Sequence, residues 1–185
     1  EARECSEIDA GWLASIVLAG GAIGCLSGGF LIDWLTRTTG DRFRSRRRLC
    51  ATSLMLASIS LLIGKHCDTP LIATLWTAGS LMGTVLTLAS WWGSVSDVSG
   101  RHLGALFGLM NSLGGMGALA SQSFAGNYAT WTKNRGFTGR DQWDAIFFVY
   151  AGVLFIGAMT WLFVDTRRSV ESSARNTDCG EDAVT

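Results

Sequence analysis

The sequence predicts an all-α integral membrane bundle of about five transmembrane helices, and three observations predict it. Five apolar stretches are separated by clusters of charge, and basic residues concentrate in alternate gaps between them. Glycine is abundant and proline nearly absent, with 23 Gly and 1 Pro in 185 residues, against an ordinary usage of roughly 7% and 5%. The apolar fraction is 48% and the mean hydropathy +0.28. Because a helix rises 1.5 Å per residue, about 20 apolar residues cross a hydrocarbon core of roughly 30 Å.

The first stretch runs from Ala10 to Ile32, the second from Leu49 to Ile63, the third from Thr69 to Ser96, the fourth from His102 to Thr132 and the fifth from Ala145 to Val164. None shows the charged stripe every three or four residues that marks a soluble amphipathic helix. The second is short, and it is assigned as a span because Arg47, Arg48 and Lys65 can reach from its ends toward the headgroups. Residues after Val170 are polar and acidic, which predicts a membrane unit over 1–168 and a disordered cytoplasmic tail over 169–185. The first ten residues carry Glu1, Glu4, Glu7 and Asp9 against Arg3, the reverse of a signal peptide's basic start. The absence of an initiating methionine points to a piece of a longer chain.

Orientation follows from the arginines. Arg37, Arg42, Arg44, Arg46, Arg47 and Arg48 fill the first loop, and Arg167, Arg168 and Arg175 follow the last span, so these segments are expected in the cytoplasm. With Arg101 the count is 10 basic residues inside against 5 outside (Arg3, Lys65, Lys133, Arg135, Arg140), and the start of the chain lies outside. Trp12, Trp34, Trp131, Trp143 and Trp161 fall near span ends, where an amphipathic indole prefers the interface.

Composition also narrows function. Lys plus Arg equals Asp plus Glu at 15 each, which offers a nucleic acid no basic surface. The five cysteines are widely spaced, without a C-x-x-C pair or a histidine cluster, so neither a metal nor another cofactor is expected. No G-x-S-x-G, H-E-x-x-H or G-x-x-x-x-G-K-[ST] string occurs, and no carboxylate or histidine sits in the middle of a span. An intramembrane enzyme would need such a group; the sequence predicts none, and an enzyme is the least favoured of the three functional readings.

Polar and small residues inside the spans carry the remaining information. Gly20, Gly24 and Gly28, and again Gly104, Gly108 and Ser112, recur every four residues, which lets helix backbones approach closely. Gly104, Gly108, Asn111, Gly115, Ala118 and Gln122 share one face of the fourth span, since eleven residues at 100° return within about 20° of the start. Asn111 and Gln122 are costly in hydrocarbon and must face either another helix or a cavity holding a solute. Thr77, Ser80, Thr84, Thr87 and Trp91 form a second stripe on the third span, although threonine commonly bonds its own helix carbonyls. At the end of the first span, an aspartate beside arginines can form a charge-assisted latch between helices.

That last segment, Gly29-Phe30-Leu31-Ile32-Asp33 followed by Arg37 and the basic run to Arg48, resembles the G-x-x-x-D-R-x-G-R-R loop of the major facilitator superfamily. Trp91-Trp92-Gly93-Ser94-Val95-Ser96-Asp97, then Arg101, Gly104, Gly108 and Asn111, is similar to the tenth and eleventh spans of its anion:cation symporter branch. That branch includes hexuronate, galactonate, sialic acid and vesicular glutamate carriers. Trp143 with Phe147 and Phe148 is similar to the final helix of the same branch. The resemblance covers residues 8 to 168 as spans eight to twelve of twelve; Trp34 stands where the family has a basic residue, and the prolines common in spans ten and eleven are missing. It implies substrate contacts at Ser90, Trp91 and Asn111 and a cytoplasmic gating motif at Gly29, Asp33 and Arg37. It further implies a small organic anion as substrate, a proton or sodium ion as coupling partner, and an amino-terminal half holding the anion-binding arginine and coupling carboxylates. The alternative is a truncated helical membrane protein that does not transport.

Overall fold

A bilayer leaves few backbone solutions, because an N–H or C=O without a partner in hydrocarbon is costly and a helix satisfies both within one segment. The computed structural model describes residues 7–136 and 141–163. Its elements are α1 (Glu7–Thr39), α2 (Arg42–His66), α3 (Pro70–Leu86), α4 (Leu88–Ser99), a 3-10 turn (Gly100–His102), α5 (Leu103–Asn134) and α6 (Asp141–Phe163). The expected tail over 169–185 lies outside the described residues.

Four helical runs are long and apolar enough to cross a membrane, one of them the 65 residues Pro70–Asn134. A straight helix of that length would measure about 98 Å, three times a hydrocarbon core. The run reverses instead at Gly100, whose φ is +50, and the rings of Trp92 and Phe107 on its two arms stack 4.6 Å apart. The chain therefore makes five passes, the third of them split into α3 and α4.

The first loop contracts to two residues. Gly40, at φ +70, closes α1 by donating its N–H to Thr36 O at 2.9 Å. Asp41 caps α2 by accepting from Arg44 N at 3.1 Å and pairs with Arg44 Nε at 3.3 Å. Arg42, Arg44, Arg46, Arg47 and Arg48 thus occupy the first turns of α2 rather than a loop. Arginine is a good helix former, and Asp41 offsets the cost of cations at a helix N-terminus.

The shortest stretch by sequence becomes the central helix. α2 spans 25 residues with 50% of its apolar window buried, against 17% for α1 and 22% for α6. It packs on α1, α3 and α6, and a serine joins it to each. Ser60 Oγ donates to Trp76 O of α3 at 2.7 Å and Ser58 Oγ to Ala151 O of α6 at 2.8 Å, while Ser45 Oγ shares its proton between Asp41 O, at 2.9 Å, and Leu35 O of α1, at 3.1 Å. Farther along, Lys65 Nζ pairs with Asp144 at 3.4 Å and lies 3.8 Å over the Phe148 ring. Trp161, expected at the interface, is 7% exposed and sits in the core with Cys50, Ala51, Leu54 and Ala158. The small neighbours leave room for the indole, which meets Trp91 edge-on at 5.8 Å. Trp12, Trp34 and Trp131 are exposed.

α1 lies against α3 along its glycines. A Cβ on Gly20 would come 2.7 Å from Ala78 O, and one on Gly24 or Gly28 would overlap the carbonyls of Met82 and Leu86. The spacing of four on α1 meets the same spacing on α3. Gly24→Ala is accordingly expected to destabilise the purified protein by about 1–3 kcal/mol through overpacking. Gly152→Ala, where an added Cβ meets nothing within 4 Å, should be neutral or slightly stabilising. Thermal melts in detergent compare the two, and equal melting points would refute backbone contact along α1.

Candidate functional site

The third pass is interrupted at Thr87. Its N–H donates to Thr84 O, three residues back, at 3.3 Å, and its hydroxyl donates to the same carbonyl at 2.7 Å. Thr77 and Thr84 donate to Ala73 O and Ser80 O, each at 2.9 Å. The threonine stripe is thus satisfied within its own helix, with hydroxyl lone pairs still free to accept.

Beyond this break, α4 and α5 enclose a cavity of about 280 Å³ whose wall includes Thr84, Thr87, Trp91, Phe107 and Asn111. Two of the three residues expected to contact substrate, Trp91 and Asn111, therefore meet in one space, although 20 positions separate them. The amide of Asn111 is exposed and makes no hydrogen bond among the described residues. Ser90 faces elsewhere: it is fully buried, beside the Cys50 thiol of α2, without a hydrogen bond of ordinary geometry.

Across Trp91 lies a second recess of about 410 Å³, bounded by α2, α4, α5 and α6. Trp91, Val95 and Met110 belong to the walls of both spaces. Ser94, which lines the second, was not singled out by sequence as a ligand group.

Gly29, Asp33 and Arg37 also come together, in a polar pocket of about 530 Å³ with Thr36, Arg42 and Arg46. Arg46 of α2, which lines this pocket, forms its ion pair with Asp97 of α4. Asp33 is exposed and forms no ion pair among the described residues. The guanidinium of Arg46 rests on Gly93, where a Cβ would stand 2.6 Å from Nη2. Both partners were visible in the sequence, within the basic run and the tryptophan motif, but 51 positions of separation hid their contact.

The glycine face of α5 is uncovered. Added Cβ atoms at Gly104, Gly108 and Gly115 meet nothing within 4 Å, and residues 111–120 are all exposed. Just beyond them, Ser121 is hydrogen-bonded to Tyr150 of α6 at 2.9 Å.

No curated protein and no solved structure matches the chain. The family model for the Major Facilitator Superfamily matches residues 3–178. With that match over nearly its whole length, and with an all-helical membrane fold to accompany it, the chain belongs to the Major Facilitator Superfamily of membrane transporters.

Proposed function

We propose that the chain serves an ion-coupled secondary carrier that moves a small organic anion, a sugar acid or other carboxylate, by alternating access. The observation that carries this reading is the shared cavity of Trp91 and Asn111. An amide supplies both donor and acceptor to hydroxyl or carboxylate oxygens, and an indole supplies a face for stacking. Among the described residues the cavity wall holds no cation, and in this reading the anion's charge is met by a second set of helices, the expected amino-terminal half. The uncovered glycine face of α5 supports such a partner, because the same four-residue spacing on α1 receives the backbone of α3. A proton or a sodium ion would drive uptake through carboxylates in that second set.

Removing the Asn111 amide in the complete carrier leaves a substrate oxygen unpaired, at a cost of about 1–3 kcal/mol. Asn111→Ala should reduce apparent affinity or turnover by roughly 5- to 150-fold in proteoliposome uptake of candidate carboxylates. Unchanged kinetics in a well-folded variant would reduce Asn111 to a packing residue. Uptake by this chain alone would refute a site shared between two halves, whereas a complete carrier inert toward every carboxylate favours the non-transporting alternative.

The latch is expected to act through Asp97 rather than Asp33, since Asp97 holds the observed pair. Asp97→Asn should slow turnover by about 5- to 10-fold with apparent affinity nearly unchanged, because a charge-assisted bond is lost away from the cavity. A larger effect from Asp33→Asn would reverse that ranking.

The proposed orientation puts the arginine-rich end in the cytoplasm. In intact cells an impermeant maleimide should label Cys67, a free and half-exposed thiol near the opposite end, and reach Thr38→Cys only after permeabilisation. Labelling in the opposite order would invert the topology. Cys5 and Cys179, equivalent reporters by sequence, lie outside the described residues.

A further inference from the structure

We propose that the recess behind Trp91 binds the apolar tail of an amphipathic carboxylate whose acid group occupies the neighbouring cavity of Asn111. The inference rests on the organic-anion reading for the head group alone. Its own basis is the recess, whose volume is about 410 Å³. A closed apolar cavity of about 150 Å³ is enough to hold benzene, so this one accommodates a ring with substituents or a chain of about eight carbons.

Chemistry of the wall selects the tail. Leu54, Val98, Leu106, Gly157 and Trp161 present carbon to the space, and Thr160 already donates its hydroxyl to Ile156 O at 2.9 Å. Ser94 is the exception. It is 7% exposed, lines the recess, and its buried Oγ has no partner. Water needs two to four partners to be held in a cavity, so one orphan hydroxyl does not retain it. A sugar tail would leave several hydroxyls unpaired here, each at a cost. Because the Ser94 Oγ is itself buried away from the space, an alkyl or aryl tail matches what the wall offers.

Position links the two spaces. Trp91 and Val95, one turn apart on α4, form the partition with Met110 of α5. Methionine is unbranched and adaptable, and Trp91 is 45% exposed, so the partition is built of side chains able to move. The recess is open on one side, and the residues that line it belong to this chain, so binding of the tail can be tested on it directly.

Tritiated octanoate binding to the full chain in phosphatidylcholine nanodiscs, with empty nanodiscs subtracted, is competed by straight-chain acids of two to ten carbons and by 1-octanol. Competition should strengthen about three- to fourfold per methylene and level off near eight carbons, following the transfer free energy of a methylene. Gly157→Leu and Val98→Phe, which fill the recess from two helices, should flatten that series; an added Cβ at Gly157 itself makes only ordinary contact, 3.6 Å from Leu54. A wild-type protein with no saturable octanoate binding or no dependence on chain length overturns the proposal. So does a chain-length series that persists in both variants at unchanged helix content, which would assign the effect to the bilayer. Octanol competing as well as octanoate, and losing that competition in both variants, would keep the tail pocket and refute the carboxylate head group instead.

Discussion

Helices dissolved in hydrocarbon gain nothing by hiding apolar surface from it, so their association rests on close backbone approach and on polar bonds between segments. That constraint organises the whole molecule. Along α1 it is met by removing side chains: three glycines admit the carbonyls of Ala78, Met82 and Leu86 to distances a Cβ would forbid. Around α2 it is met by hydroxyls: Ser58 and Ser60 give their protons to carbonyls of α6 and α3, and Ser45 divides its proton between Asp41 O and Leu35 O of α1. Such bonds contribute about 0.6–2 kcal/mol each, and three directed to three helices fix α2 in position as well as in depth. α5 meets α6 through Ser121 and Tyr150, and residues 111–120 beside that contact are exposed.

The placement of charge follows the same economy. Arg46 is 14% exposed, and its charge is met by Asp97 while its guanidinium plane rests on a glycine that offers no obstruction. Lys65, 12% exposed, has Asp144 and the face of Phe148. One pair ties α2 to α4, the other ties α2 to α6. Both involve the central helix, so the two ends of the bundle are secured through a common member.

Much of this was legible in the sequence because it depends on residue type and local spacing. A four-residue glycine repeat implies backbone approach whatever the partner, and threonines on a helix bond their own carbonyls without outside help. Resemblance implied substrate contacts at Ser90, Trp91 and Asn111; in the fold Trp91 and Asn111 line one cavity, while Ser90 is buried apart from it. Other features depended on partners far along the chain. Nothing near Arg46 identifies Asp97 rather than Asp33 as its acid, and nothing near Trp161 reveals that Cys50, Ala51 and Ala158 leave it room. Ser94 looked like one more small residue among tryptophans; its interest comes only from the recess that four helices build around it. The arginines read as a loop because charge was taken to break the helix, whereas Gly40 and Asp41 suffice to turn the chain.

The interruption at Thr87 makes α4 a lever. A proline at such a place removes an N–H for good and freezes the angle; Thr87 keeps its N–H and merely lends both donors to Thr84 O. Its backbone stays in the right-handed helical region, and its own carbonyl accepts from Trp91 N at 3.0 Å, so the helix tightens there without being cut. From Leu88 to Asp97 the arm measures about 15 Å, and turning it by about 10° sweeps its far end through about 2.5 Å, more than enough to part a carboxylate from a guanidinium. Trp91 rides the same arm close to the fulcrum, where the identical rotation amounts to less than about 1 Å. Any rotation about Thr87 would thus displace Asp97 about two and a half times as far as Trp91, in proportion to the distance of each residue from that threonine.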